Sequence, residues 1–86
     1  MFRVVYSSSE RFCKLYAEAE TGRRVLLTAC PGVAWATLCL ELNEEETREL
    51  EADPSRADAL ASTLCWDSQA FAGRLLPDSF ASVLPD

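Results

Sequence analysis

The stretch RVLLTACPGVAWATLCLEL, residues 24–42, sets two apolar runs on either side of Pro31-Gly32, a dipeptide that marks a turn. A two-residue loop there pairs Cys30 with Val33 and makes an antiparallel hairpin. Val25, Leu27 and Ala29 then share a face with Ala34, Ala36, Leu38 and Leu40. Every member of that face is apolar, as one buried side of an antiparallel pair requires. The opposite face collects Arg24, Leu26, Thr28, Cys30, Val33, Trp35, Thr37, Cys39 and Glu41. Pro followed by Gly favours a type II turn, which fits a tight hairpin poorly, so a longer loop stays open as an alternative.

Working upstream, RFCKLYAEAE (residues 11–20) reads two ways. As a strand it alternates Cys13, Leu15, Ala17 and Ala19 against Phe12, Lys14, Tyr16 and Glu18. A turn around Thr21-Gly22-Arg23 then sets the first group beside Val25, Leu27 and Ala29. As a helix it offers Phe12, Leu15, Tyr16 and Ala19, with Ser7 and Glu10 in capping-box spacing. Glu18 and Glu20 at the negative end of that helix tilt the reading towards the strand. FRVVY (residues 2–6) becomes a first strand, with Ser7-Ser8-Ser9 as its loop.

Downstream the period changes. Asn43 and Glu46 have the spacing of a capping box, and Glu44, Glu45 and Glu46 sit where a helix N-terminus favours negative charge. That helix ends near Ala52. Asp53-Pro54 restarts the chain as N-cap and first helical residue, with Ala57, Leu60, Ala61 and Leu64 as a core-facing stripe. Trp66 closes that stripe and is expected in the core. A last helical segment runs to Leu76 and stops at Pro77. The fold class is therefore α+β: three to four antiparallel strands (about 2–6, 11–19, 24–30, 33–42) and two or three short helices (about 44–52, 54–65, 68–76) packed on one face of the sheet.

With 86 residues there is room for one domain, which buries only ~60–65% of the surface its unfolded chain exposes. Its net charge of −6 disfavours nucleic acid and anionic membranes as direct partners. The charge is uneven: residues 1–24 carry a net +2 and residues 25–86 a net −8. No apolar signal core and no membrane span is present, which points to a cytoplasmic protein. The four cysteines, at 13, 30, 39 and 65, show no C-x-x-C spacing. They read as small, buried, reduced side chains, with disulfides as the alternative for an exported chain.

Chemistry is limited by the absence of histidine, which removes Ser-His and Cys-His pairs and histidine metal sites. The three glycines fall in no phosphate-binding pattern. No enzyme activity, cofactor or metal is expected. Phe12, Lys14 and Tyr16 on one strand face outline a stacking platform, but the total charge opposes a nucleic-acid role.

What is left is surface. NEEETRELEAD (residues 43–53) packs six carboxylates and one arginine into eleven residues. Capping accounts for its first three acids. It does not account for Glu49, Glu51 and Asp53, which repel one another beyond the first turn. A solvated helix face is one reading; a surface for a basic partner is the sharper one. Trp35, on the half-polar sheet face, is either covered by the C-terminal segment or an anchor for a partner. The expected binding residues are Glu45, Glu49, Glu51, Asp53 and Trp35. The expected partner is a basic protein (a toxin, nuclease or nucleic-acid-binding protein), held by an acidic inhibitor or immunity-type module or its nucleic-acid-mimic variant. An accessory subunit binding through Trp35 is the alternative. Seven arginines against one lysine, with twelve alanines, hint at a GC-rich bacterial genome.

Overall fold

The computed structural model describes residues 2–8, 13–30, 37–77, 80, 83 and 84. Among these the chain forms β1 (Phe2–Ser8), β2 (Cys13–Glu18), β3 (Arg24–Ala29), β4 (Thr37–Glu41), α1 (Glu44–Ala52), α2 (Arg56–Trp66), a 3-10 helix (Ser68–Arg74) and β5 (Leu75–Leu76). The strands make one antiparallel sheet in the order β1-β2-β3-β4-β5. The expected α+β arrangement is present, with one more strand than foreseen. Residues 13–18 are strand, and β1 continues through Ser7 and Ser8, which the sequence assigned to a loop.

The register corrects the expected buried face. Ala29 pairs with Thr37 and Leu26 with Leu40, so seven residues, 30–36, lie between the paired ends. The pairing is displaced by three residues from that of a two-residue loop, and an odd displacement turns a strand over. Leu15 lies opposite Leu26, and Cys13 opposite Thr28. Cys13, Leu15, Leu38 and Leu40 do share a face as expected, but their β3 neighbours are Leu26 and Thr28 rather than Val25 and Leu27. The Pro31-Gly32 turn and Trp35 lie outside the described residues.

Both sides of the sheet are covered, which corrects the expectation of a single buried face. One core gathers Cys13, Leu15, Leu26 and Leu40 with Leu42, Leu50, Ala57, Ala61 and Leu64 from the helical side. The other gathers Phe2, Tyr16, Val25 and Cys39, against which Leu76, Phe80 and Leu84 of the C-terminal segment pack. Val25 and Leu26 are adjacent and both fully buried. A bulge at Val5 serves the same design: Val4 pairs with Tyr16 and Tyr6 with Leu15. The extra residue lets Phe2 join one core and Tyr6 the other, which strict alternation would forbid.

Three helical expectations change in detail. Regular helix begins at Arg56, not Pro54, after the turn in which Asp53 Oδ1 accepts from the Ser55 amide at 3.2 Å and the Ser55 hydroxyl at 2.6 Å. Residues 68–76 divide into the 3-10 helix and the two-residue β5, which pairs Leu75 with Leu40 and Leu76 with Cys39. Trp66 is 90% exposed instead of buried. The buried stripe of α2 is Ala57, Ala61 and Leu64, and Trp66 stands two residues beyond Leu64, about 200° around the helix.

The expectation of four reduced cysteines also fails. Cys30 at the end of β3 is bonded to Cys65 in the last turn of α2, while Cys13 and Cys39 are buried thiols. No C-x-x-C signal announces the pair, because its members lie 35 positions apart and only the packing of α2 on the sheet brings them together.

Candidate functional site

Helix α1 starts at a complete capping box. Asn43 Oδ1 accepts from the Glu46 amide at 2.8 Å, and Glu46 Oε1 accepts from the Asn43 amide at 3.0 Å. Three glutamates in the first turn face the positive end of the helix dipole, and no basic residue complements the last turn. Leu50 is the one buried residue of the helix. Most of what fixes α1 is consequently polar.

Its carboxylates divide by partner. Glu46 accepts from both terminal nitrogens of Arg74, which also donates to the Glu41 carbonyl at 3.2 Å. Burial alone would raise the Glu46 pKa, but the Arg74 hydrogen bonds, the Asn43 amide and the Arg74 charge outweigh it and hold the carboxyl below its ordinary value. Glu51 accepts from Arg24 at 3.1 Å. Asp53 is held by Ser55 and lies 4.0 Å from Arg56, and the Ser55 hydroxyl lowers its pKa. The carboxylates of Glu45 and Glu49 are exposed and enter no hydrogen bond or ion pair among the described residues. Of the residues expected to bind a partner, Glu51 and Asp53 thus have local employment, Glu45 and Glu49 do not, and Trp35 lies outside the described residues.

The same helix borders two adjoining depressions. A largely apolar groove of about 230 Å³ is lined by Val5, Leu15, Leu42, Leu50 and Pro54 together with Arg24, Thr47 and Glu51. A more open, polar hollow of about 500 Å³ continues past Arg24, Thr47 and Glu51 to Asn43, Glu44, Arg48 and the 21–23 turn. Gly22 closes that turn at φ +75°, a conformation natural to glycine. Arg23 and Arg24 leave the turn in opposite directions. Arg23 pairs with Glu41 at 2.7 Å and lies over the Phe2 and Phe80 rings, at 5.6 and 5.5 Å from their centroids. Arg24 remains beside the groove. The adjacent arginines after a glycine turn were the available sequence signal for this hollow; their sharing out between the two sheet faces was not.

Beneath α2, the Asp58 carboxylate accepts from the Tyr6 hydroxyl at 3.2 Å and the Cys13 thiol at 3.4 Å. Burial first, then the charge and hydrogen bond of Asp58, raise the Tyr6 pKa. This trio ties α2 to β1 and β2. Among the described residues no cluster of three or more Cys, Asp or Glu is gathered to hold a metal ion, and no helix is long and apolar enough to cross a membrane. The chain matches no family model, no curated protein and no solved structure.

Proposed function

We propose that this chain is a small, non-catalytic, acidic protein-binding module that covers a basic site on a partner protein, in the manner of an inhibitor or immunity-type protein of a bacterial cell. The observation that carries the reading is the pair Glu45 and Glu49. They stand one turn apart on the exposed side of α1, with no cation bound to either among the described residues. Like charges at that spacing cost a helix about 0.2–0.5 kcal/mol. Their neighbours Glu46 and Glu51 are neutralised within the fold, so the exposed pair concentrates the field that a cationic partner would meet.

The test is affinity capture from the lysate of the producing cell, followed by association rates with the recovered partner at low and high salt. Glu45→Gln/Glu49→Gln is expected to slow association about tenfold at low salt and little at high salt. Glu51→Gln/Asp53→Asn should matter less. An association rate unchanged by the first pair of substitutions overturns the reading.

Trp66 supports the second reading, an accessory subunit bound through an aromatic anchor. A tryptophan 90% exposed at the end of α2 contributes almost nothing to this core, and tryptophan is the residue most enriched at the energetic centre of interfaces. Under that reading Trp66→Ala abolishes association and salt has little effect. A cytoplasmic location belongs to the proposal only with the Cys30–Cys65 pair reduced, because such bonds persist in oxidising compartments. Counting free thiols after rapid alkylation of intact cells decides between the two compartments.

A further inference from the structure

We propose that the groove between β1 and α1 is a binding site for a short aliphatic carboxylate, its chain on the apolar wall and its head on Arg24. This goes beyond the protein-binding reading and uses the opposite flank of α1. Val5, Leu15, Leu42, Leu50 and Pro54 line about 230 Å³ of groove. That volume equals roughly eight water molecules at ~30 Å³ each, enough for a short hydrocarbon chain and smaller than the ~300–1,000 Å³ of sites for larger ligands. Val5 is 42% exposed there, because the bulge sets it outside the regular pairing. An apolar chain lying against it removes surface that the fold leaves in water.

Charge complementarity names the head group. Among the described residues Arg24 is the one cation lining the groove, and it is shared with the polar hollow, which Arg23 and Arg48 also line. Its Nη1 donates to the Gly22 carbonyl at 3.2 Å, which holds the guanidinium in place. Its Nη2 donates to Glu51. The two partners of that ion pair are unequally placed: the Arg24 side chain is 23% exposed and Glu51 57%. A pair with so exposed a carboxylate is worth little and exchanges readily. An incoming carboxylate carrying an apolar tail takes the place of Glu51 on a cation already oriented to receive it, and adds burial that Glu51 cannot supply.

The experiment is a titration of the ¹⁵N-labelled full chain with octanoate, followed by amide chemical shifts, with 1-octanol as the uncharged probe. Saturable shifts are expected at Val5, Leu42, Thr47 and Leu50. Octanoate should bind more tightly than octanol. Arg24→Gln is expected to weaken octanoate about tenfold, the loss of one charge-assisted contact, and to leave octanol nearly unchanged. Glu51→Gln should act in the opposite direction, tightening octanoate by removing the internal competitor. Absence of saturable shifts in the groove overturns the proposal. Equal binding of octanol and octanoate, insensitive to both substitutions, overturns it as well. Should Arg24→Gln fail to fold, the sign of the Glu51→Gln effect decides alone. Neither substitution touches Glu45 or Glu49, so failure here is distinguishable from failure of the protein-binding reading.

Discussion

Helix α1 buries a single residue, Leu50, whereas α2 buries Ala57, Ala61 and Leu64. The first is held by a capping box, by Glu46 on Arg74 and by Glu51 on Arg24. The second is held by packing, by Asp58 on Tyr6 and Cys13, and by the covalent link of Cys65 to β3. Two neighbouring helices on one sheet are thus secured by different forces. Apolar contact and a disulfide are indifferent to salt, while exposed ion pairs are screened by it. The polar attachment of α1 also leaves its outer side free to carry charge, since no apolar stripe has to be accommodated there.

The largest test of this contrast is Leu64→Ala. Truncating a fully buried leucine should lower the unfolding free energy by about 2–5 kcal/mol, equally at low and high salt, in urea denaturation. Next comes replacement of Cys30 and Cys65 by serine. Opening a link across 35 residues should cost about 2–4 kcal/mol in the same assay, and treating the parent with reductant should reproduce the loss. Equal stability with and without reductant would show that the link contributes nothing to α2.

The polar side of the contrast is broken at Glu46. Its pKa in the folded protein lies below the ordinary carboxylate value, so its pairing contributes stability above that value. The contribution fades as the pH falls through the lowered folded value. Glu46→Gln, which keeps a side chain able to cap, should cost about 1–2 kcal/mol near neutrality after allowance for partial exposure, and should flatten the acid limb of the stability profile. A smaller effect of opposite sign is expected from Glu49→Gln, which removes the repulsion and leaves Glu45 at the positive end of the helix dipole. Relieving the repulsion should raise stability by about 0.2–0.5 kcal/mol, seen as a slightly higher thermal midpoint in low salt. A drop instead would mean that Glu49 has a stabilising partner.

The start of α1 was legible because its determinants are local: Asn43 and Glu46 lie within one turn and satisfy each other wherever the helix sits. Residues 13–18 read as strand or as helix, and the unfavourable Glu18 and Glu20 at a helix end tilted the reading to the strand that is present. Partner assignment within NEEETRELEAD was not legible. Glu51 and Asp53 have the same sequence signature as Glu45 and Glu49, yet Arg24, 27 positions away, occupies one of them. Glu46 looked like a cap alone, but Arg74 reaches it from the 3-10 helix. An acidic run in sequence is therefore not the same object as an acidic surface in space.

By itself the sequence determined the order of β1 to β4, α1 and α2, the cap of α1 and the α+β class, since each rests on periodicity and short-range hydrogen bonding. Only the tertiary structure decided which way β3 faces. Val25 and Leu26 are both fully buried, so the strand has no polar side to betray its orientation, and a three-residue displacement of the pairing turned it over. The same long-range packing set Cys30 against Cys65 and turned Trp66 outward. Contacts between residues far apart in the chain leave no local trace, because what selects them is the shape of the surfaces that meet.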